Sequence, residues 1–171
     1  MKKIFTLLTF VAIILSTNIT HADYPKVFGD NSEYVICGMH AGTGWYINRK
    51  SVNVLQYAPP IYRISCDVAV VRDAMNGSTK IAQVLHNEYR YDWNERKMYQ
   101  LVNGAWRYIP PVGTTAELPS SYDGELAFFI AYRLKFYGEL YADKNYNFNA
   151  DLYGRLENAE QMEKRKHHEG L

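Results

Sequence analysis

Apolar and polar positions alternate with a period of two through the middle of the chain and change to a helical period after residue 120. Two long β-rich segments, 61–73 and 79–92, flank Asn76-Gly77. Both residues of that pair tolerate positive φ, so it predicts a tight hairpin. With Asn76-Gly77 as the two-residue turn, Val71 faces Ala82, Ala69 faces Val84 and Asp67 faces His86. Ile64 then faces Tyr89 and Tyr62 faces Tyr91. Only Arg63 opposite Arg90 is a poor pair, and a bulge along the ribbon would remove it. A second Asn-Gly, Asn103-Gly104, sets Leu101 against Trp106 and Tyr99 against Tyr108 on one side, and Met98 against Ile109 on the other. Asp92 to Lys97 is the polar connection between the hairpins, so 61–109 is predicted as a four-stranded antiparallel meander. Upstream, Tyr34–Cys37, Trp45–Ile47 and Ser51–Leu55 read as shorter strands, separated by a glycine loop from Gly38 to Gly44 and closed by Pro59-Pro60. The total is about six strands. Near the Asn76 turn both faces are apolar, which calls for a cover on each.

One helix is predicted. Ser121 suits the N-cap, Asp123 and Glu125 the first turn, and Gly138 the position just past the end. Leu126, Phe129, Ile130, Leu134, Phe136 and Tyr137 form its apolar face, which covers one side of the sheet. Arg133 falls in the middle of that face. Either its stem packs while its head reaches the last carbonyls, or it meets a half-buried acid such as Asp67. The fold class is therefore α+β: a single antiparallel sheet of about six strands with one C-terminal helix packed on one face. Residues 139–171 are polar, with only a thin apolar stripe at Leu152, Leu156, Ala159 and Met162, and read as a weak helix or disordered tail outside the core.

At the other end, Lys2-Lys3, the apolar run Ile4–Leu15 and Thr20-His21-Ala22 match a secretory signal peptide over residues 1–22, followed by a domain over 23–138. The run is short for a membrane span. No cysteine follows it, so export without a lipid anchor is expected, to the periplasm or the exterior. Removing the two lysines takes the formal net charge from +1 to −1, which gives no general attraction to nucleic acid or to anionic membrane. The chain has two cysteines, Cys37 and Cys66, and an oxidising compartment favours a single disulfide between them, contributing roughly 3–4 kcal/mol. They are too few for a structural zinc site, and no cofactor motif occurs.

Catalytic patterns are sparse. Ser65, Asp67 and His86 share a face in the predicted register, but strands produce such neighbours freely, and the simplest reading is a polar patch. What remains is surface. Trp93, Arg96 and Lys97 lie in the polar connection, where Trp93 is the aromatic residue best placed for exposure. Trp106 and Tyr108 lie on the hairpin stripe, which reads first as architecture. With Arg133, these six are the candidate binding residues.

Trp45-Tyr46-Ile47 with Ser51-Val52, the Tyr-x-Tyr-Asp element at 89–92, Arg96-Lys97-Met98-Tyr99 and the Gly-x-Trp-x-Tyr strand at 104–108, followed by a helix, resemble the bacterial surface-adhesin protein E family of exported domains. The resemblance spans about Tyr34 to Gly138. It implies a non-enzymatic module that binds host or extracellular-matrix proteins, and a homodimer, here through the open sheet face. The family's best-known member is a lipoprotein, from which this chain departs. Two alternatives stand beside it: a periplasmic small-ligand carrier or envelope factor with a pocket near Arg133, and a small hydrolase built on Ser65, Asp67 and His86.

Overall fold

The computed structural model of the chain describes residues 27–29, 31–111, 118–141, 148 and 150–169. The segment read as a signal peptide lies outside these residues. Eight strand segments form one antiparallel sheet: β1 (Val27–Phe28), β2 (Asn31–His40), β3 (Thr43–Asn48), β4 (Asn53–Ala58), β5 (Ile61–Val71), β6 (Ile81–Asp92), β7 (Lys97–Val102) and β8 (Ala105–Ile109). Their order is β1-β2-β3-β5-β6-β7-β8, and β4 also pairs with β5. Because β6 lies along the whole of β5, β3 and β4 share the other flank of β5 end to end, with a 3-10 turn at Arg49–Ser51 between them.

The four-stranded meander is present as β5 to β8. The Asn103-Gly104 hairpin has the predicted register throughout, from Val102 opposite Ala105 to Met98 opposite Ile109, and both turn residues have positive φ. The β5–β6 register also holds from Ile61 opposite Asp92 to Val70 opposite Gln83. It slips next to the turn, where Val71 faces Ile81 rather than Ala82 and a short 3-10 turn (Ala74–Asn76) replaces the two-residue loop. The bulge is thus at the turn, and Arg63 does stand opposite Arg90. The expected glycine loop shrinks to a two-residue turn at Ala41-Gly42, since β2 and β3 run on to His40 and Thr43.

Among the described residues three helices follow: α1 (Leu118–Tyr132), α2 (Gly138–Tyr141) and α3 (Ala150–Glu169). The main helix starts before Ser121 and ends six residues short of Gly138, because Arg133 turns left-handed (φ 57) just after its amide closes the last helical bond to the Phe129 carbonyl at 2.8 Å. Leu134 consequently faces solvent, while Phe136 and Tyr137 are buried beyond the helix. α1 sits close on the sheet: a Cβ on Gly124 would lie 2.4 Å from Met98 Sδ, and Tyr91 Oη donates to the Gly124 carbonyl at 2.7 Å.

Two expectations are corrected. Residues 150–169 are not a detached tail. Leu152, Tyr153, Leu156 and Ala159 are buried, and α3 packs on β2 and α1, so the domain includes this helix. The expected disulfide is not formed: both thiols are free and buried. β3 runs between β2, which carries Cys37, and β5, which carries Cys66. Two strand spacings, roughly 9–10 Å, exceed the roughly 7 Å a disulfide can span. Cys37 Sγ instead lies 3.1 Å from the Trp45 carbonyl.

Candidate binding surface

All three helices lie on one face of the sheet, against the core of Val35, Ile47, Ile64, Val68, Tyr89, Tyr91 and Met98. The opposite face carries a smaller apolar cluster at the β2–β3–β5 side, where Ile36, Tyr46, Ala69, Val71 and Ala74 pack with Phe28 and Tyr34. No helix of the described residues covers it. Further across the same face, strand alternation sets Arg63 on β5, Glu88 and Arg90 on β6, Tyr99 on β7, and Trp106 and Tyr108 on β8.

These residues form an array. Arg90 lies over Tyr99 at 4.6 Å and over Trp106 at 5.5 Å, and Arg63 approaches Trp106 at 5.6 Å. Arg63 Nε donates to Glu88 Oε1 at 2.9 Å. The acid and the two π faces absorb the like-charge contact between Arg63 and Arg90, so no bulge is needed. The buried Nε of Arg90 has no hydrogen-bond partner among the described residues, a cost borne by a side chain held chiefly by rings. Tyr99 and Tyr108 tilt against each other at 5.7 Å, and Tyr108 is 45% exposed. Sequence reasoning noted Tyr99 and Trp106 as a stripe but missed Arg63 and Glu88 as members. The signal was there in the Arg63–Arg90 pair, which a stable sheet keeps only with neighbours to offset it.

Trp93, Arg96 and Arg133 gather elsewhere, at the helix side. Trp93 is less exposed than expected. It stacks on Phe128 at 5.6 Å, and the Arg96 guanidinium covers its other face at 3.6 Å. Arg96 also donates to the Phe136 carbonyl at 2.9 Å and pairs with Glu139. It is therefore a clasp between the β6–β7 turn and the chain after α1. Arg96→Ala is expected to lower stability by roughly 1–3 kcal/mol, read from the denaturant midpoint. Arg133 does meet a partly buried acid, but the acid is Glu160 of α3 at 2.5 Å and not Asp67, and the Arg133 side chain is half exposed. A groove of about 260 Å³ opens between Trp93, Phe129, Arg133, Leu134, Lys135 and Glu139. Lys97 takes part in neither region and pairs with Glu95 at 2.7 Å on the surface.

His86 Nδ1 and Asp67 Oδ1 are 2.7 Å apart, as the register predicted, but both side chains are solvated, at 73% and 38% exposure. Ser65 is buried below them. Asp67 is thus not the buried carboxylate that orients the histidine of a triad. Among the described residues no group of acids, histidines and cysteines could hold a metal ion, and no helix is long and apolar enough to cross a membrane.

Behind the core face, two carboxylates are fully buried in α1. Asp123 accepts from Tyr89 Oη at 2.6 Å and Asn87 Nδ2 at 3.0 Å. Burial pushes its pKa up to about 7, against these hydrogen bonds, which pull it down. Glu125 accepts from the Tyr137 and Gly138 amides and from Tyr153 Oη, and burial raises its pKa too. Neither reaches solvent, so both belong to the framework. No family model, curated protein or solved structure matches this chain.

Proposed function

We propose that the chain is an exported, non-enzymatic binding module of the surface-adhesin type, periplasmic or secreted, which engages host or extracellular-matrix proteins through the open face of its sheet. The observation that supports this reading is the arginine–aromatic array. Arg, Trp and Tyr are the side chains that dominate protein interfaces, and here they stand pre-stacked and uncovered by any helix of the described residues. Such preorganisation lowers the ordering cost of association. The test is surface-immobilised binding to a panel of matrix and host proteins. Trp106→Ala and Tyr108→Ala are expected to weaken the bound partner's affinity at least about tenfold, a hot-spot-sized loss. Thermal stability should be nearly unchanged in Tyr108→Ala and somewhat lower in Trp106→Ala, which takes a ring from Arg63 and Arg90. Absence of any bound panel member, or variants that bind as wild type, would refute the reading.

A small-ligand carrier is the second reading, favoured by the groove beside Arg133 where a pocket was expected. Its volume of about 260 Å³ falls below the roughly 300–1,000 Å³ of ordinary ligand sites. For that reason the open face comes first. Were the groove the site, Arg133→Ala would abolish ligand-induced stabilisation.

A further inference from the structure

β6 is paired along its whole length with β5, but β7 pairs only with Tyr89 to Asp92. The outer side of residues 81–88 therefore has no strand beside it among the described residues. Trp93 donates its amide to the Pro60 carbonyl on the β5 side. By strand alternation, Asn87 and Leu85 also direct their backbone groups to β5, while Glu88, His86 and Val84 direct theirs outward. Residues 81–84 and His86 are exposed, with Val84 54% accessible.

The other sheet edges are protected and this one is not. β1 is two residues long, and β2 beyond it carries a register shift between Ile36 and Gly38, with Arg155 donating to the Ile36 carbonyl at 3.4 Å. β4 carries a register shift between Val54 and Gln56, and β8 is five residues with Arg107 at its centre and Pro110-Pro111 after it. Charge, bulges, brevity and proline are the usual defences of an edge. On β6 the one irregularity lies at its start, opposite Val70–Val71. From Ala82 to Asn87 the strand reads AQVLHN, with no Lys, Arg, Asp, Glu or Pro.

The same stretch is complementary to itself. A two-fold axis through Val84 sets Val84 against Val84, Gln83 against Leu85 and Ala82 against His86. It also brings Lys80 of each copy to the Glu88 end of the other, so the charges that bracket the neutral run are matched. A slip of one residue would turn outward-facing amides toward groups already bonded to β5. An axis through Leu85 would bring Lys80 to Arg90 in place of Glu88, like charge toward like charge. The Val84 register also keeps the partner strand on the stretch before β7 begins to pair.

We propose that this edge binds a second copy of the chain, with the two β6 strands pairing antiparallel about Val84 to join both sheets into one. The axis is perpendicular to the sheet, so the two arginine–aromatic arrays face the same side. A partner offering repeated sites would then be held at both. The pairing does not rest on the binding role proposed above, and its test reads mass rather than affinity for a partner.

In that register the two Val84 Cα atoms lie about 5.5 Å apart, within disulfide reach. Val84→Cys is expected to oxidise to a covalent dimer. Tyr57→Cys, on the more exposed β4 edge (67% accessible), is expected to stay monomeric, and the native thiols are buried. Light scattering of the wild type should give the dimer mass. Val84→Lys should weaken dimerisation at least about tenfold by opposing two charges at the axis, with an unchanged circular dichroism spectrum. A wild-type monomer at high concentration, a dimer that survives Val84→Lys, or cross-linking through Tyr57→Cys in place of Val84→Cys would overturn the proposal.

Discussion

Replacing Glu125 by alanine is expected to destabilise the protein by at least about 3 kcal/mol and to loosen α3 from the rest of the domain. The carboxylate is fully buried and joins three parts of the chain. From α1 it accepts the Tyr137 amide at 2.7 Å, the Gly138 amide at 3.2 Å and the Tyr153 hydroxyl of α3 at 2.6 Å. Alanine would strand all three donors away from water, at roughly 1–3 kcal/mol for each buried group left unsatisfied. It would also leave a cavity beneath Tyr153. Gly138 provides an independent test of the same node. A Cβ there would lie 1.7 Å from Tyr153 Oη, so Gly138→Ala must push the hydroxyl off Glu125 while leaving the acid in place. Both variants should lower the guanidinium midpoint sharply and reduce near-ultraviolet dichroism, since Tyr153 packs edge-on against Phe129 at 4.9 Å. Glu125→Gln keeps one acceptor oxygen and should fall between. A loss below about 1 kcal/mol in Glu125→Ala would mean that water replaces the carboxylate, and that the node does not hold α3.

The sequence carried the meander almost residue by residue, because two Asn-Gly turns fix register and the side-chain period of two fixes the face. That is how the Tyr99–Trp106–Tyr108 side was legible before its neighbours were known. Arg63 opposite Arg90 was read as a fault because the offsets come from elsewhere: Glu88 two residues along β6, and Trp106 two strands away. Pairwise register does not contain such third partners. The helices were less legible. Asp123 and Glu125 match the acids that favour a helix N-terminus, and they were placed in its first turn on that basis. In fact α1 is covered by the sheet on one side and by α3 on the other, so its polar positions are buried as well. α3 has a thin apolar stripe, and it was set aside for that reason. Its docking depends on Tyr153 reaching Glu125 and on Arg49 meeting Glu163 at 2.6 Å, both long-range contacts that local pattern does not encode. The cysteines misled for a related reason: composition favours a pair, while strand order separates them.

Stability is expected to fall as pH rises from about 4 to about 7, and Asp123→Asn is expected to remove much of that fall. Asp123 is fully buried, and its folded-state pKa stands at about 7 against roughly 3.9 in an unfolded chain. The cause is desolvation of the charged form, only partly offset by donors from Tyr89, the Gly124 amide and Asn87. A raised folded pKa means the folded state holds the proton more tightly. The associated stability is complete below the unfolded pKa and is lost as pH climbs through the folded one. Three units correspond to roughly 4 kcal/mol across that window. Glu125 shifts in the same direction and adds to the slope, so the informative quantity is the difference between wild type and variant. Asparagine can accept from Tyr89 and the Gly124 amide as the protonated acid does, and can donate to the Asn87 side chain once that amide rotates. The two proteins should therefore unfold at similar urea concentrations near pH 4, with the variant clearly more stable at pH 8. A difference that stays constant across the window would show that Asp123 titrates as a solvated acid, with water reaching it under α1. The buried Cys37 and Cys66 thiols give a second readout. Burial raises both pKa values first, and the nearby Asp123 charge adds to the effect. Neither should react with a thiol reagent in the folded state at neutral pH, in the wild type or in Asp123→Asn, because burial is the larger cause and remains in the variant.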